Sequence, residues 1–109
     1  MNYQQAKVMA KSLKAMAHPM RIVIVDALKD GDRCVRDLTS LGSINQSNVS
    51  RHLATLKRVG IVSDRRVKNQ VIYKLEAPEV LDLLSPAASV ARSELKRHAD
   101  KVNGLSQPE

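Results

Sequence analysis

Apolar residues recur along this chain in two rhythms. Between residues 4 and 16, Ala6, Met9, Leu13 and Met16 fall three or four apart, which predicts a helix with one apolar side. Pro19 marks a second helix start, because a first helical turn tolerates proline. The run from Met20 to Lys29 holds Ile22, Val23, Val25, Ala27 and Leu28. Its β-branched residues would suit a strand, but the proline start and the closing Lys29-Asp30-Gly31 predict a buried helix. A short third helix is expected from Arg33 or Cys34 to Leu41, with Val35, Leu38 and Leu41 inward. Gly42-Ser43 supplies a turn. A fourth helix follows, with Asn45 as its cap, Ile44 packing on Val49, and Gly60 as its stop. Val49, Leu53, Leu56 and Val59 share one face of it.

The period then drops to two. Ile61–Val67 and Gln70–Leu75 read as strands joined at Lys68-Asn69, with Asn69 expected in the left-handed conformation of a tight turn. Pro78 opens a final helix carrying Val80, Leu81, Leu83 and Leu84. Ser85-Pro86 is expected to interrupt and restart it, and Val90, Ala91, Leu95 and Val102 continue its stripe to about Val102. The predicted fold is mainly α with a two-stranded β-wing, a winged helix-turn-helix. Residues 1–103 form one domain and 104–109 a flexible tail. The first and last helices lie outside the helix-turn-helix yet carry apolar stripes, so they are expected to pair in a homodimer.

The opposite face of the fourth helix is unusual. Gln46, Ser47, Asn48, Ser50, Arg51 and His52 crowd polar groups into its first turns, and no acidic residue lies between Asn45 and Val62. A solvated helix face usually mixes Glu with Lys, which gains i,i+4 pairs. This one offers donors and acceptors at a helix N-terminus, where the dipole also favours phosphate. A helix entering the DNA major groove needs that set. The blander reading is an amphipathic helix with a polar surface.

The placement of charge decides between them. The net formal charge is +7. From Arg51 to Lys74 there are seven basic residues and one acidic residue, Asp64, while the remaining eleven basic and ten acidic residues nearly cancel. Such concentration marks a polyanion-binding surface. Tyr3 and Tyr73 are the only aromatics, too few to stack the bases of a single strand, so duplex DNA is the expected polyanion. Without Trp or Phe the chain also lacks the residues of a membrane-surface helix. It has no apolar run long enough to span a bilayer, no signal-peptide pattern, and one cysteine, which together point to a cytoplasmic protein. No Gly-rich phosphate loop, catalytic triad spacing or HExxH motif suggests an enzyme. The serious rival is a winged-helix module for protein–protein contact; its surface should be apolar at the centre, whereas this one is basic.

Five motifs, in order, carry a resemblance. They are Met16-Ala17-His18-Pro19-Met20-Arg21, Val35-Arg36-Asp37-Leu38, the run from Gln46 to Leu53, the run from Leu56 to Val62, and Val71-Ile72-Tyr73-Lys74-Leu75. Over residues 6 to 84 the chain resembles the ArsR/SmtB family of bacterial winged-helix repressors. The resemblance implies a homodimer on a palindromic operator, usually repressing and releasing DNA when an effector binds; nothing in the sequence identifies that effector. It assigns base reading to Gln46, Ser47, Ser50 and Arg51, with His52 beside them, and the wing to Arg65, Arg66 and Lys68; the polar face of the helix adds Asn48 as a DNA-binding candidate. The turn departs from the family, with Gly42 where an apolar residue is usual.

The family's metal sites are not reproduced. Its thiolate site needs a Cys-x-Cys pair, and here Cys34 is followed by Arg36 at the second position. Its other site uses two histidines, and Asp82 and His98 have no second histidine nearby. Soft metals want three or four N/S ligands, so no metal and no cofactor are expected. Cys34 has two readings: a redox-sensing thiol between Arg33 and Arg36, or a small buried hydrophobe. His18 reads as a residue at the helix start rather than a ligand.

Overall fold

A computed structural model describes residues 1–41 and 46–106 and leaves out the side chains of Gln46, Ser47 and residues 104–106. The expected Gly42-Ser43 turn, the Asn45 cap with Ile44, and the last three residues of the expected tail lie outside the described residues. The chain divides into two compact units, Met1–Pro78 and Glu79–Glu109.

The first unit opens with α1 (Tyr3–Met16). Its N-terminus is closed by reciprocal bonds: the Asn2 side chain accepts from the Gln5 N–H, and the Gln5 side chain accepts from the Asn2 N–H. In α2 (Pro19–Leu28), His18 is the cap, its Nδ1 accepting from the Met20 N–H at 3.0 Å. The helix expected here is confirmed, and His18 serves at its start. Ile24, Val25 and Leu28 are buried, whereas Ile22 and Val23 lie on its outer side.

The next segment differs from expectation. Arg33–Cys34 is a short strand, β1, and α3 covers only Val35–Thr39. The Arg33 guanidinium donates to the Ala27 carbonyl at 3.0 Å, and pairing with Tyr73 and Ile72, distant in sequence, holds this stretch extended. Leu38 is buried as predicted, but Leu41 lies beyond the helix and is 40% exposed.

In α4 (Gln46–Arg58), Val49, Leu53 and Leu56 have no exposed surface. The helix ends at Gly60 in a Schellman motif: Gly60 N–H donates to Lys57 O and Ile61 N–H to Leu56 O, both at 3.0 Å. Gly60 has φ +80°, a conformation that needs no Cβ. The buried Leu56 and Ile61 supply the motif's apolar contact.

Strands β2 (Val62–Val67) and β3 (Gln70–Leu75) pair antiparallel, from Val62 opposite Leu75 to Val67 opposite Gln70. β1 joins the other edge of β3, with Cys34 opposite Ile72. The sheet is therefore three-stranded, in the order β1-β3-β2, and the wing is its β2–β3 ribbon. At the tip Lys68, not Asn69, takes the left-handed conformation, with φ 57°.

A 3-10 helix (Pro78–Leu83) passes directly into α5 (Leu84–Ser106). Pro86 does not interrupt it. It occupies the first turn, where backbone N–H groups have no helical acceptor to lose. The helix also runs past its expected end at Val102.

Candidate nucleic-acid interface

The complete burial of Val49, Leu53 and Leu56 fixes which side of α4 faces out. Ser50 and Arg51 are exposed on that outward side and Asn48 is half-buried. Gln46 and Ser47 occupy the first turn, and their side chains lie outside the description.

His52 behaves differently from its neighbours. It is half-buried, and its Nδ1 accepts from the Arg21 Nε–H at 3.1 Å. Its ring stands against that of His18, with centroids 4.3 Å apart. Arg21 also donates to the Ala15 carbonyl at 3.3 Å. Burial first, then the positive surroundings of His18, Arg21 and Arg51, hold the His52 pKa below its ordinary value of 6.5. The imidazole is neutral at pH 7 and ties α4 to α2. Sequence reasoning missed Arg21 in this part, because a bond across 31 positions leaves no local periodicity to read.

Two ion pairs organise the wing. Lys57 in the last turn of α4 meets Asp64 of β2 at 2.9 Å. The single acidic residue of the basic window thus fastens wing to helix; its bond and its charge, in that order, raise the Lys57 pKa. Arg65 donates to Asp32 at 2.7 Å. Alternation along β2 puts Arg66 on the face of Asp64, the one turned toward α4. Arg66 and Lys68 are exposed and form no ion pair among the described residues. On β3, Lys74 is likewise exposed and without an ion pair among the described residues, so the wing carries three such cations and one, Arg65, that is locally compensated.

Cys34 is half-buried and lines, with Val35, Arg36 and Gln70, a shallow hollow of about 190 Å³. Asp82 and His98 are both exposed. Among the described residues no three His, Cys, Asp or Glu side chains are grouped to hold a metal ion. No helix among them is long and apolar enough to cross a membrane.

A helix held outward by its apolar face, preceded by a short helix and followed by a basic hairpin pinned to its last turn, defines a winged helix-turn-helix. Residues 18–64 match the family model described as "Bacterial regulatory protein, arsR family". The HTH-type transcriptional regulator Rv0081 of Mycobacterium tuberculosis is 40% identical over 85 residues, 77% of this chain and 75% of that one. Its crystal structure superposes with a TM-score of 0.71, covering 90% of this chain and 99% of that chain at 35% identity. The transcriptional activator HlyU of Vibrio cholerae is 41% identical over 68 residues, 62% of this chain and 63% of that one. A homodimeric winged helix-turn-helix DNA-binding domain of Mycobacterium bovis, 28% identical, gives a TM-score of 0.69 and covers 90% of this chain and 94% of that one. The chain belongs to the arsR family of bacterial regulatory proteins, which are DNA-binding transcriptional regulators and not enzymes.

Proposed function

We propose that this chain is a homodimeric repressor that binds a palindromic operator and is released by a small effector. The observation that carries the reading is the outward face of α4, which bears Ser50 and Arg51 and no acidic residue, beside a wing whose Arg66 and Lys68 form no ion pair among the described residues. In this reading the N-terminal half of α4 enters the major groove. Gln46, Ser47, Ser50 and Arg51 meet base edges, and Asn48 lies at the margin. Arg66 and Lys68 hold phosphates with help from Arg65, and His52 sets the pose of α4 through Arg21. A two-fold dimer places its recognition helices about 34–36 Å apart, which requires a palindrome. Bound over a promoter, such a dimer excludes polymerase. HlyU is named an activator, so the sign of regulation depends on where the operator lies.

A protein-binding role is disfavoured by the chemistry of this face, since interface cores are depleted of charge. The test is selection of bound fragments from genomic DNA, followed by anisotropy titrations on the selected and a scrambled duplex at 50 and 200 mM salt. Ser50→Ala should cost about 1–3 kcal/mol of discrimination between them. Equal loss on both duplexes, or affinity indifferent to salt, overturns the reading.

A further inference from the structure

We propose that a hollow between α1, α2 and α4 is a binding site for a small organic anion, a carboxylate on a short apolar body. The hollow measures about 210 Å³, smaller than sites for drug-sized ligands. Its floor is formed by Ala15 of α1 with Thr55 of α4 and Val59 just beyond that helix. Val59 belongs to the apolar stripe of α4 yet is only half-buried, because at this end the core gives way to the hollow.

Four cations stand around that floor: Lys11, Lys14, Arg21 and Arg58. Neither α1 nor α4 contains an acidic residue. Among the described residues none of the four cations forms an ion pair. Lysines spaced three and four apart on α1, at Lys7, Lys11 and Lys14, repel one another without an anion. Arg21 is half-buried, and two of its five N–H donors are engaged, by His52 and the Ala15 carbonyl. Four basic side chains about a largely apolar hollow are complementary to an anion with an apolar body. A carboxylate would take bonds from the guanidinium and lysine groups, and its apolar body would cover Ala15 and Val59.

DNA is a poor alternative occupant. Arg58 ends α4 about 18 Å along the axis from Gln46, at the end opposite the one expected in the groove. The exposed Met9 and Leu13 project about 200° around α1 from Lys11, so pairing through that stripe leaves the Lys11 side of the hollow open. A ligand here would touch Arg21, which holds His52 on the DNA-facing helix. That coupling to DNA release rests on the regulator reading above, whereas binding itself does not.

The test uses the full chain with benzoate as probe, benzamide as its uncharged isostere and inorganic phosphate as an anion without an apolar body. Amide NMR shifts locate the binding. Benzoate should move the Ala15, Thr55 and Val59 amides saturably, with benzamide and phosphate each about tenfold weaker. Lys14→Gln and Arg58→Gln should each weaken benzoate about tenfold while the remaining spectrum stays that of the folded parent. Shifts elsewhere, benzamide equal to benzoate, or no saturable shift overturns the proposal. So does a loss of salt dependence in DNA binding by Lys14→Gln, which would make the ring a phosphate contact. If benzoate binds but no duplex does, the regulator reading fails and the site stands; if duplex binds and benzoate does not, the reverse holds.

Discussion

The Arg21 guanidinium donates its Nε–H to Nδ1 of His52 at 3.1 Å, joining the start of α2 to the middle of α4. Arginine always carries that hydrogen, so the imidazole must accept with a bare Nδ1 and keep its proton on Nε2. The His18 ring beside it also accepts through Nδ1, from the Met20 N–H. Protonating His52 would set one N–H against another, with His18, Arg21 and Arg51 close by.

A pH dependence of folding follows. The His52 pKa is lowered in the folded chain relative to 6.5, so in that window the unfolded chain binds more protons. Stability is then complete above about pH 6.5 and falls as acidification passes through the folded-state value. Urea midpoints measured from pH 8 to pH 5 should decline on the acid side. His52→Asn, whose side-chain oxygen can still accept from Arg21 and does not titrate, should flatten the decline. An unchanged slope would remove His52 as its source.

The ion pairs of the wing rank its arginines. Arg66→Ala should weaken binding to every sequence and reduce the salt slope by about 0.9, the value for one phosphate contact. Arg65→Ala should cost less, since Asp32 already compensates that charge. Asp32→Asn should free Arg65, tighten DNA binding and steepen the slope. Anisotropy titrations over a salt series read all three, and identical slopes for the two alanine variants would contradict the ranking.

Lys68 sets conformation against charge. It holds φ 57° at the exposed hairpin tip, where a side chain costs about 1 kcal/mol relative to glycine. Lys68→Gly should raise stability by about that amount in urea denaturation and at the same time weaken DNA binding. A variant both more stable and fully competent for DNA would show that the tip lysine has no part in binding.

What the sequence revealed and what it hid divide along a physical line. The α4 face of Val49, Leu53 and Leu56 was legible because a 3.6-residue period and burial are the same fact seen twice. The wing was legible because its two strands are adjacent and the period-two signal is local. Strand β1 was not, since Arg33–Cys34 is extended by pairing with Tyr73 and Ile72, nearly forty positions away. Lys68 was misjudged against Asn69 because propensity favours asparagine there, whereas register decides which residue takes the left-handed angle. At the site, residue types were readable but charge compensation was not: Asp32 and Asp64 reach Arg65 and Lys57 only once the chain is folded.

The terminal helices carry the last prediction. Leu13 on α1 is 52% exposed, and Val90 and Leu95 on α5 are each 69% exposed. These residues continue the apolar stripe of each helix, and an exposed apolar stripe of this kind marks an association site. Pairing of both helices about a two-fold axis would remove it from water. Leu95→Glu would place a charge in that seam and should yield a monomer at concentrations where the parent sediments as a dimer. Helical circular dichroism of the first unit should persist, since none of its buried residues is altered. Operator affinity should fall about a hundredfold, because two linked half-site contacts become independent, while affinity for a single half-site should stay the same. A Leu95→Glu chain that remains dimeric would place the association surface elsewhere.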